Sequence, residues 1–276
     1  MKEKYKDYNR AKFVDSALES EMCENGFIYF PSFITQKEVK ALLDLYHSFH
    51  TTISSGKGMW NSMYDVGVEN GSIISKEILS ILKPYLDSIF TEYKAPVASF
   101  MSKNPGENGI CEFHRDFSIM DENQNEYRNV WIPLVDIDRK NGALYALKKS
   151  HRLFDYPLPM FEKWNYIDLQ DRLFQMASIF EVKAGDLIVY ADRTLHGSFL
   201  NLSNQSRPVV HLGALPLNYQ LAYYQLEGTK VKVHEVTENY YFSNEFEKSM
   251  DNFPLITEFE YEPPPINEDQ LNELGH

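Results

Sequence analysis

The sequence predicts a mainly β protein, a sandwich or jelly roll with helices packed on its outside. Two observations carry that expectation. From residue 95 onward, short apolar and aromatic runs alternate with turn residues, with no helix between successive pairs. Before residue 95, apolar residues recur at helical intervals instead. Size sets the frame: 276 residues, 43% of them hydrophobic, supply ample core, and β sandwiches of this length are often single units. One domain over residues 1–276 is therefore expected.

The elements follow in chain order. "GFIYFPSF" (26–33) is aromatic and β-branched and stops at Pro31, as a short strand does. "ITQKEVKALLDLYHSF" repeats apolar residues at Val39, Leu42, Leu43, Leu45 and Tyr46, and Thr35 with Glu38 three residues later forms a capping box. A second helix is predicted over 75–90, kinked or broken at Pro84. The intervening 54–72 segment is rich in Gly and Ser yet carries Trp60 and Tyr64, the composition of a flap. Seven strand-bearing runs follow: "APVASFMSKNPGENG", "ICEFHRDFSIM", "NVWIPLVDI", "GALYALKK", "IFEVKAGDLIVYAD", "HGSFLNLS" and "RPVVHLGALPL". Turns punctuate them at Pro105-Gly106, Asn141-Gly142, Ala184-Gly185-Asp186 and 204–206. Residues 151–177 interrupt the series as an insertion over one mouth, and the Pro-rich, acidic tail 262–276 reads as loosely docked.

Composition excludes several classes of function. A formal net charge of −13 repels polyanions, so neither nucleic acid nor an anionic membrane surface is an expected partner. No apolar run reaches the roughly 18 residues of a membrane span, and the charged start "MKEKYKDYNRAKFVDS" lacks a signal-peptide core. Two cysteines, Cys23 and Cys111, are too few for a disulfide framework, and a reduced, cytoplasmic setting is expected.

The chemistry concentrates in "CEFHRDFSIM" (111–120). Residues two apart in a strand project from one face, so His114 and Asp116 aim together while Arg115 points away. Alone, such a pair reads more simply as a local ion pair, hydrogen bond or solvated face than as a metal site. Downstream, "AGDLIVYADRTLHGSFLN" supplies His196, and "SRPVV" supplies Arg207 eleven positions later. Two imidazoles and a carboxylate on one face of a ferrous ion leave the opposite face open, and a buried Arg needs an anion. Arg207 can serve such a site if 196–201 and 207–217 pair across "NLSNQS". His211 shares strand parity with Arg207, but a packed, hydrogen-bonded histidine is the simpler reading. His151 reads as a loop contact, His47 and His50 as helix-surface residues, and Lys103 as a solvated lysine beside a Pro-Gly turn. Asp136, Asp138 and Asp186 read as turn residues.

With these residues in view, the chain resembles the phytanoyl-CoA dioxygenase-like family of iron(II)- and 2-oxoglutarate-dependent oxygenases. The resemblance runs over most of 20–217, through "ENGFIYFPSFITQKEVKAL", "WIPLVDIDRKNGALYALKKSHR" and "AGDLIVYADRTLHGSFLNLSNQSRP". It implies a double-stranded β-helix, the cupin-like jelly roll. It implies Fe(II) held by His114, Asp116 and His196, with 2-oxoglutarate and O2 as co-substrates, and Arg207 on the distal carboxylate of 2-oxoglutarate. It places Trp131 at a co-substrate-lining position, where a plain core tryptophan is the equal alternative. Halogenating relatives replace the metal-binding carboxylate, so the presence of Asp116 favours hydroxylation or another oxidation.

The expected partner is a small molecule, either a free metabolite or a natural-product intermediate. No basic run offers itself to a CoA phosphate. Trp60, Tyr64, Phe154, Tyr156 and Trp164 are candidate pocket walls. Two alternatives stand beside hydroxylation with release of succinate and CO2. One is a non-catalytic jelly-roll protein that binds a small ligand or carbohydrate. The other is desaturation, epimerisation or ring closure with the same cofactors.

Overall fold

In the computed structural model, the described residues are 8–50, 58–106, 111–160, 162, 167–242 and 250–274. Six antiparallel neighbours form the major sheet, in the order Phe27–Phe30, Leu187–Ala191, Arg128–Pro133, Arg207–Pro216, Ala98–Lys103 and Met59–Asn61, with Tyr93–Lys94 added at the end of Arg207–Pro216. The minor sheet runs Ser178–Phe180, Leu144–Ala146, His196–Ser198, Cys111–His114. Together these are the two sheets of a jelly roll.

The two-residue repeat of the strands sorts their side chains. Ile28, Val130, Ile132, Leu187, Val189, Ala191, Val210, Leu212 and Ala214 face outward and are buried in one cluster with Met22, Val39, Leu42, Ile74, Ile78, Leu82 and Leu86 of the helices. The helices are Ser16–Asn25, Gln36–Phe49 and Val68–Ile89. The opposite parity of the same strands presents Asn129, Trp131, Ile188, Tyr190, Arg207, Val209 and His211 to the minor sheet, where Trp131, Ile188, Tyr190 and Val209 pack with Leu144. Asn129, Tyr190, Arg207 and His211 thus lie between the sheets beside these apolar residues.

Local signals explain the helix ends. Asp15 accepts the Ala17 N–H at 2.8 Å, and Gly26 closes the first helix with φ of 82°. The Thr35 hydroxyl takes the Lys37 N–H and gives its own proton to the Glu38 carboxylate, so the expected cap is present.

The structure corrects several expectations. The third helix begins at Val68 rather than 75 and runs unbroken through Pro84. Its apolar face, Ile74, Ile78, Leu82, Leu86 and Ile89, is buried, and this packing offsets the backbone hydrogen bond that proline cannot make. The 54–72 flap is therefore largely regular where it is described, with an edge strand at Met59–Asn61 and the first helical turn from Val68; residues 54–57 lie outside the described residues. Within 151–177, a short helix at Gln170–Gln175 packs Leu173 beside Phe113 and Tyr145 on the outer face of the minor sheet, while 161 and 163–166 lie outside the described residues. The tail is docked: Glu268–Leu274 is helical, and Leu271 and Leu274 are buried in that same cluster. A three-stranded sheet at Ala222–Glu227, Lys230–Glu235 and Leu255–Glu260 was not expected. Among the described residues, no helix is long and apolar enough to cross a membrane.

Candidate active site

His114 ends its strand and lies in register opposite His196, which opens the neighbouring one; the two ring centroids are 4.3 Å apart. Gly197 makes that pairing possible, since a Cβ there would fall 2.4 Å from the Cys111 carbonyl oxygen. The edge of the Cys111–His114 strand is occupied by the Gln170 amide, which accepts the Phe113 N–H at 2.8 Å and donates to its carbonyl at 3.0 Å. Asp116 lies two residues past the strand end, so in-strand parity is not what aims it. Its direction is set by Arg115, whose buried guanidinium points away from the site. That group donates to the Tyr156 carbonyl at 2.7 Å, pairs with Glu122 at 3.4 Å, and sits over the Phe154 and Tyr156 rings.

The donor set fits a metal ion. Each histidine directs Nδ1 at a backbone carbonyl two residues earlier, His114 at Glu112 and His196 at Thr194, both at 2.9 Å. A carbonyl only accepts, so Nδ1 carries a proton in each ring and Nε2 is the atom that can ligate a metal. Asp116 Oδ2 accepts the Asn129 amide at 2.7 Å, while Oδ1 lies 3.9 Å from His196 Nε2. One ligand atom from each of His114, Asp116 and His196 lies within 4.8 Å of the others. Two imidazole nitrogens and one carboxylate oxygen, each oriented by an outer partner, make a donor set suited to non-haem iron. Burial holds His196 well below the ordinary imidazole pKa. Burial also disfavours a charged His114, yet the neighbouring Cys111 and Asp116 raise it to about 9. A metal bound there would displace that proton.

Arg207 lies across the sandwich. The expected hairpin between 196–201 and 207–217 does not form: His196–Ser198 belongs to the minor sheet and Arg207–Pro216 to the major one. The chain crosses over at Asn201, whose amide donates to the Lys103 and Gln205 carbonyls. Arg207 is 4% exposed, its guanidinium lies 5.5 Å from the Trp131 ring, and no hydrogen bond or ion pair from the described residues reaches it. Trp131 is thus both a core residue and the wall beneath this cation. Lys103 pairs with Arg207 in register and is fully buried, contrary to the solvated reading. Its ammonium donates to the Ser198 carbonyl, the Ser198 hydroxyl and the Phe199 carbonyl at 3.1, 2.7 and 2.6 Å. Burial and the Arg207 charge push its pKa down to about 7, against the opposing pull of Cys111. The Pro105-Gly106 turn hid this residue, and no local pattern distinguished it.

The remaining candidates take structural positions. His211 is hydrogen-bonded to Asn129 Oδ1 at 3.1 Å. His151 is buried against the Cys23 carbonyl, at 3.2 Å. His50 stacks on Tyr46 and His47 is exposed. Asp136 binds Lys183 and the Ala184 N–H, Asp138 caps its own turn, and Asp186 holds Tyr29 and the Ser32 N–H. Trp60 packs against Tyr46 and His50 in the helical core, Phe154 and Tyr156 enclose Arg115, and Trp164 lies outside the described residues. Of the expected pocket walls, Tyr64 is the one in the electrostatic field of Asp116; burial and that charge raise its pKa to about 12. Asn129, which touches Asp116, carried no signal in the sequence.

Fold and site together define a jelly roll that carries a two-histidine, one-carboxylate cluster opposite a buried cation. The model of the phytanoyl-CoA dioxygenase (PhyH) family matches residues 22–209. The chain belongs to this family of iron(II)- and 2-oxoglutarate-dependent oxygenases. It is 28% identical over 146 residues to phytanoyl-CoA dioxygenase 1 of Oryza sativa subsp. japonica, covering 46% of this chain and 48% of that one. The chain spans about half the length of the curated relatives it matches. Among solved structures, the non-haem α-ketoglutarate-dependent carbocyclase SnoK of nogalamycin biosynthesis is similar at a TM-score of 0.56 and 15% identity, over 75% of this chain and 86% of that one. HygX of Streptomyces hygroscopicus, solved with nickel, 2-oxoglutarate and hygromycin B, is similar at 0.55 and 15%, over 74% and 88%. At such identities the structural likeness speaks for the fold.

Proposed function

We propose that this protein is an iron(II)- and 2-oxoglutarate-dependent dioxygenase that hydroxylates a small molecule and releases succinate and CO2. One observation carries the reading: three ligand atoms converge within 4.8 Å, and the opposite sheet carries a buried guanidinium with no hydrogen-bond partner among the described residues. His114, Asp116 and His196 would hold the metal. When bound, iron with its keto-acid co-substrate supplies the oxidising chemistry that no side chain has. The residues do the rest. Arg207 offers its fork to the distal carboxylate, Trp131 lies beneath that cation, and Lys103 adds a second positive charge beside it. Thr194 and Glu112 hold the imidazole tautomers, and Asn129 holds one oxygen of the carboxylate. Leu144, Ile188 and Val209 pack between the sheets beside Trp131 and exclude water from that side.

A net charge of −13 favours a neutral or cationic free metabolite over an acyl-CoA thioester as substrate. The chain is read as one catalytic unit. A second outcome on the same cofactors is favoured by one observation: the similar folds include a carbocyclase and the epimerase SnoN, so the matched architecture also serves ring closure and epimerisation. The test is anaerobic loading with Fe(II) and 2-oxoglutarate, followed by O2. Succinate formation that is lost on EDTA treatment and in His196→Ala supports the proposal. No iron-dependent succinate, with or without added substrates, overturns it. Product mass separates a hydroxylated product from a cyclised or epimerised one.

A further inference from the structure

Behind the proposed ligands, a polar chain runs through the major sheet. The Asn129 amide nitrogen meets Asp116 Oδ2 at 2.7 Å, and its oxygen meets His211 Nε2 at 3.1 Å. The Tyr190 hydroxyl is 3.5 Å from the same nitrogen, and its ring packs on that of His196 with centroids 4.6 Å apart. Asn129 and Tyr190 are 1% and 3% exposed. They lie in register on adjacent strands, and His211 lies on the strand flanking Asn129 on its other side.

Hydrogen-bond chemistry fixes every member. An ionised carboxylate only accepts, so the NH2 of Asn129 must face Asp116 and its carbonyl oxygen must face His211. That oxygen only accepts, so His211 carries its proton on Nε2. Burial keeps His211 neutral, with a pKa below its ordinary value. A reversed amide would set its carbonyl against the carboxylate and its NH2 against an N–H, leaving two buried groups in repulsion.

We propose that Asn129 and His211 are positioning residues that restrict Asp116 to a single metal-binding oxygen. Oδ2 is held by the Asn129 amide, while Oδ1 lies 3.9 Å from His196 Nε2. A carboxylate free to turn and bind through both oxygens would fill a position that the two-point chelating co-substrate or O2 must use. His211 acts one step back, by making the other amide orientation untenable. The inference rests on the metal reading above, but concerns residues outside the proposed ligand set.

The test uses Co(II), whose absorption bands report coordination number, titrated into the apoprotein. Asn129→Leu is expected to weaken Co(II) binding by about 10- to 100-fold and to change the band intensity. His211→Leu should shift both in the same direction by less, and His211→Gln, which restores a donor, should return them towards wild type. Thermal unfolding of each apoprotein separates this from general damage, which would lower the transition without altering the spectrum of the bound ion. Wild-type affinity and spectrum in Asn129→Leu and His211→Leu would overturn the inference while leaving the oxygenase reading intact. Should Asn129→Leu not fold, the His211 pair decides, because only an orienting role predicts loss in Leu and recovery in Gln. Failure of the wild type to bind Co(II) through His196 would instead remove the metal reading itself, and this inference with it.

Discussion

Two buried arginines of the major sheet, Arg128 and Arg207, face opposite fates. Arg128 is fully buried and ion-paired with Glu19 at 3.1 Å and with Glu126, which also receives Arg10. This network ties the first helix and the N-terminal strand to the sheet. Arg207 is 4% exposed and has an aromatic ring beneath it, but no carboxylate among the described residues. A protein that sequesters a guanidinium supplies its counter-ion when the role is architectural; where it supplies none, the counter-ion is expected from solution. The contrast separates a structural cation from a binding one on geometry alone.

The contrast can be broken or sharpened by substitution, and the largest effect is expected at the three-residue cluster. Asp116→Ala should abolish iron-dependent succinate formation by at least about 100-fold while leaving the apoprotein folded, as read by turnover and circular dichroism. Arg207→Met should raise the KM for 2-oxoglutarate by roughly 100-fold with little change in Tm, since no protein partner is stranded. Arg128→Met should do the reverse: it leaves Glu126 buried and underpaired, at about 3–5 kcal/mol of stability in chemical denaturation, with the co-substrate KM of the surviving fold unchanged. Equal effects of the two substitutions on KM would dissolve the distinction.

Lys103 offers a subtler reading. Its pKa is depressed to about 7 in the fold, below the ordinary lysine value, so between these values the unfolded chain binds more protons. Stability should therefore rise with pH across that window, and Lys103→Met should flatten the rise. A bound dicarboxylate favours the ammonium, so co-substrate binding at ~pH 8 should take up a fraction of a proton, seen as a buffer-dependent heat of binding and lost in Lys103→Met. The smallest effect belongs to exposed pairs such as Lys40–Asp44: Lys40→Ala should move stability by less than about 0.5 kcal/mol.

The sequence carried the site better than the scaffold around it. His114, Asp116, His196 and Arg207 stood out because their residue types and spacing suit one chemistry; the structure brings the first three together and buries the fourth on the opposite sheet. To within one residue at their starts, the seven predicted runs contain the four strands of the minor sheet and the four strands of the major sheet that follow residue 95. What failed was non-local. Sheet membership of His196 and Arg207 depends on a chain crossover at Asn201, which reads as an ordinary turn. The helix start at Val68 was hidden because "ENGS" reads as a loop, although Gly71 is buried against Phe242. Leu271 and Leu274 looked like two apolar residues in an acidic tail until the minor sheet offered them a face. Asn129 escaped notice and Lys103 read as solvated because their partners lie 13 and 95 residues away.

Gly142 touches neither metal ligand, yet a methyl group there would sit 3.0 Å from Lys103 Cδ and 3.5 Å from Arg207 Nε, on a backbone with φ of 102°. The turn between two strands is therefore also the back wall of the charge pocket. Gly142→Ala would present in a kinetic screen as a co-substrate defect, though the altered residue forms no bond to anything that enters. Variation at this bend would tune how firmly the dicarboxylate is gripped without changing a single recognising group.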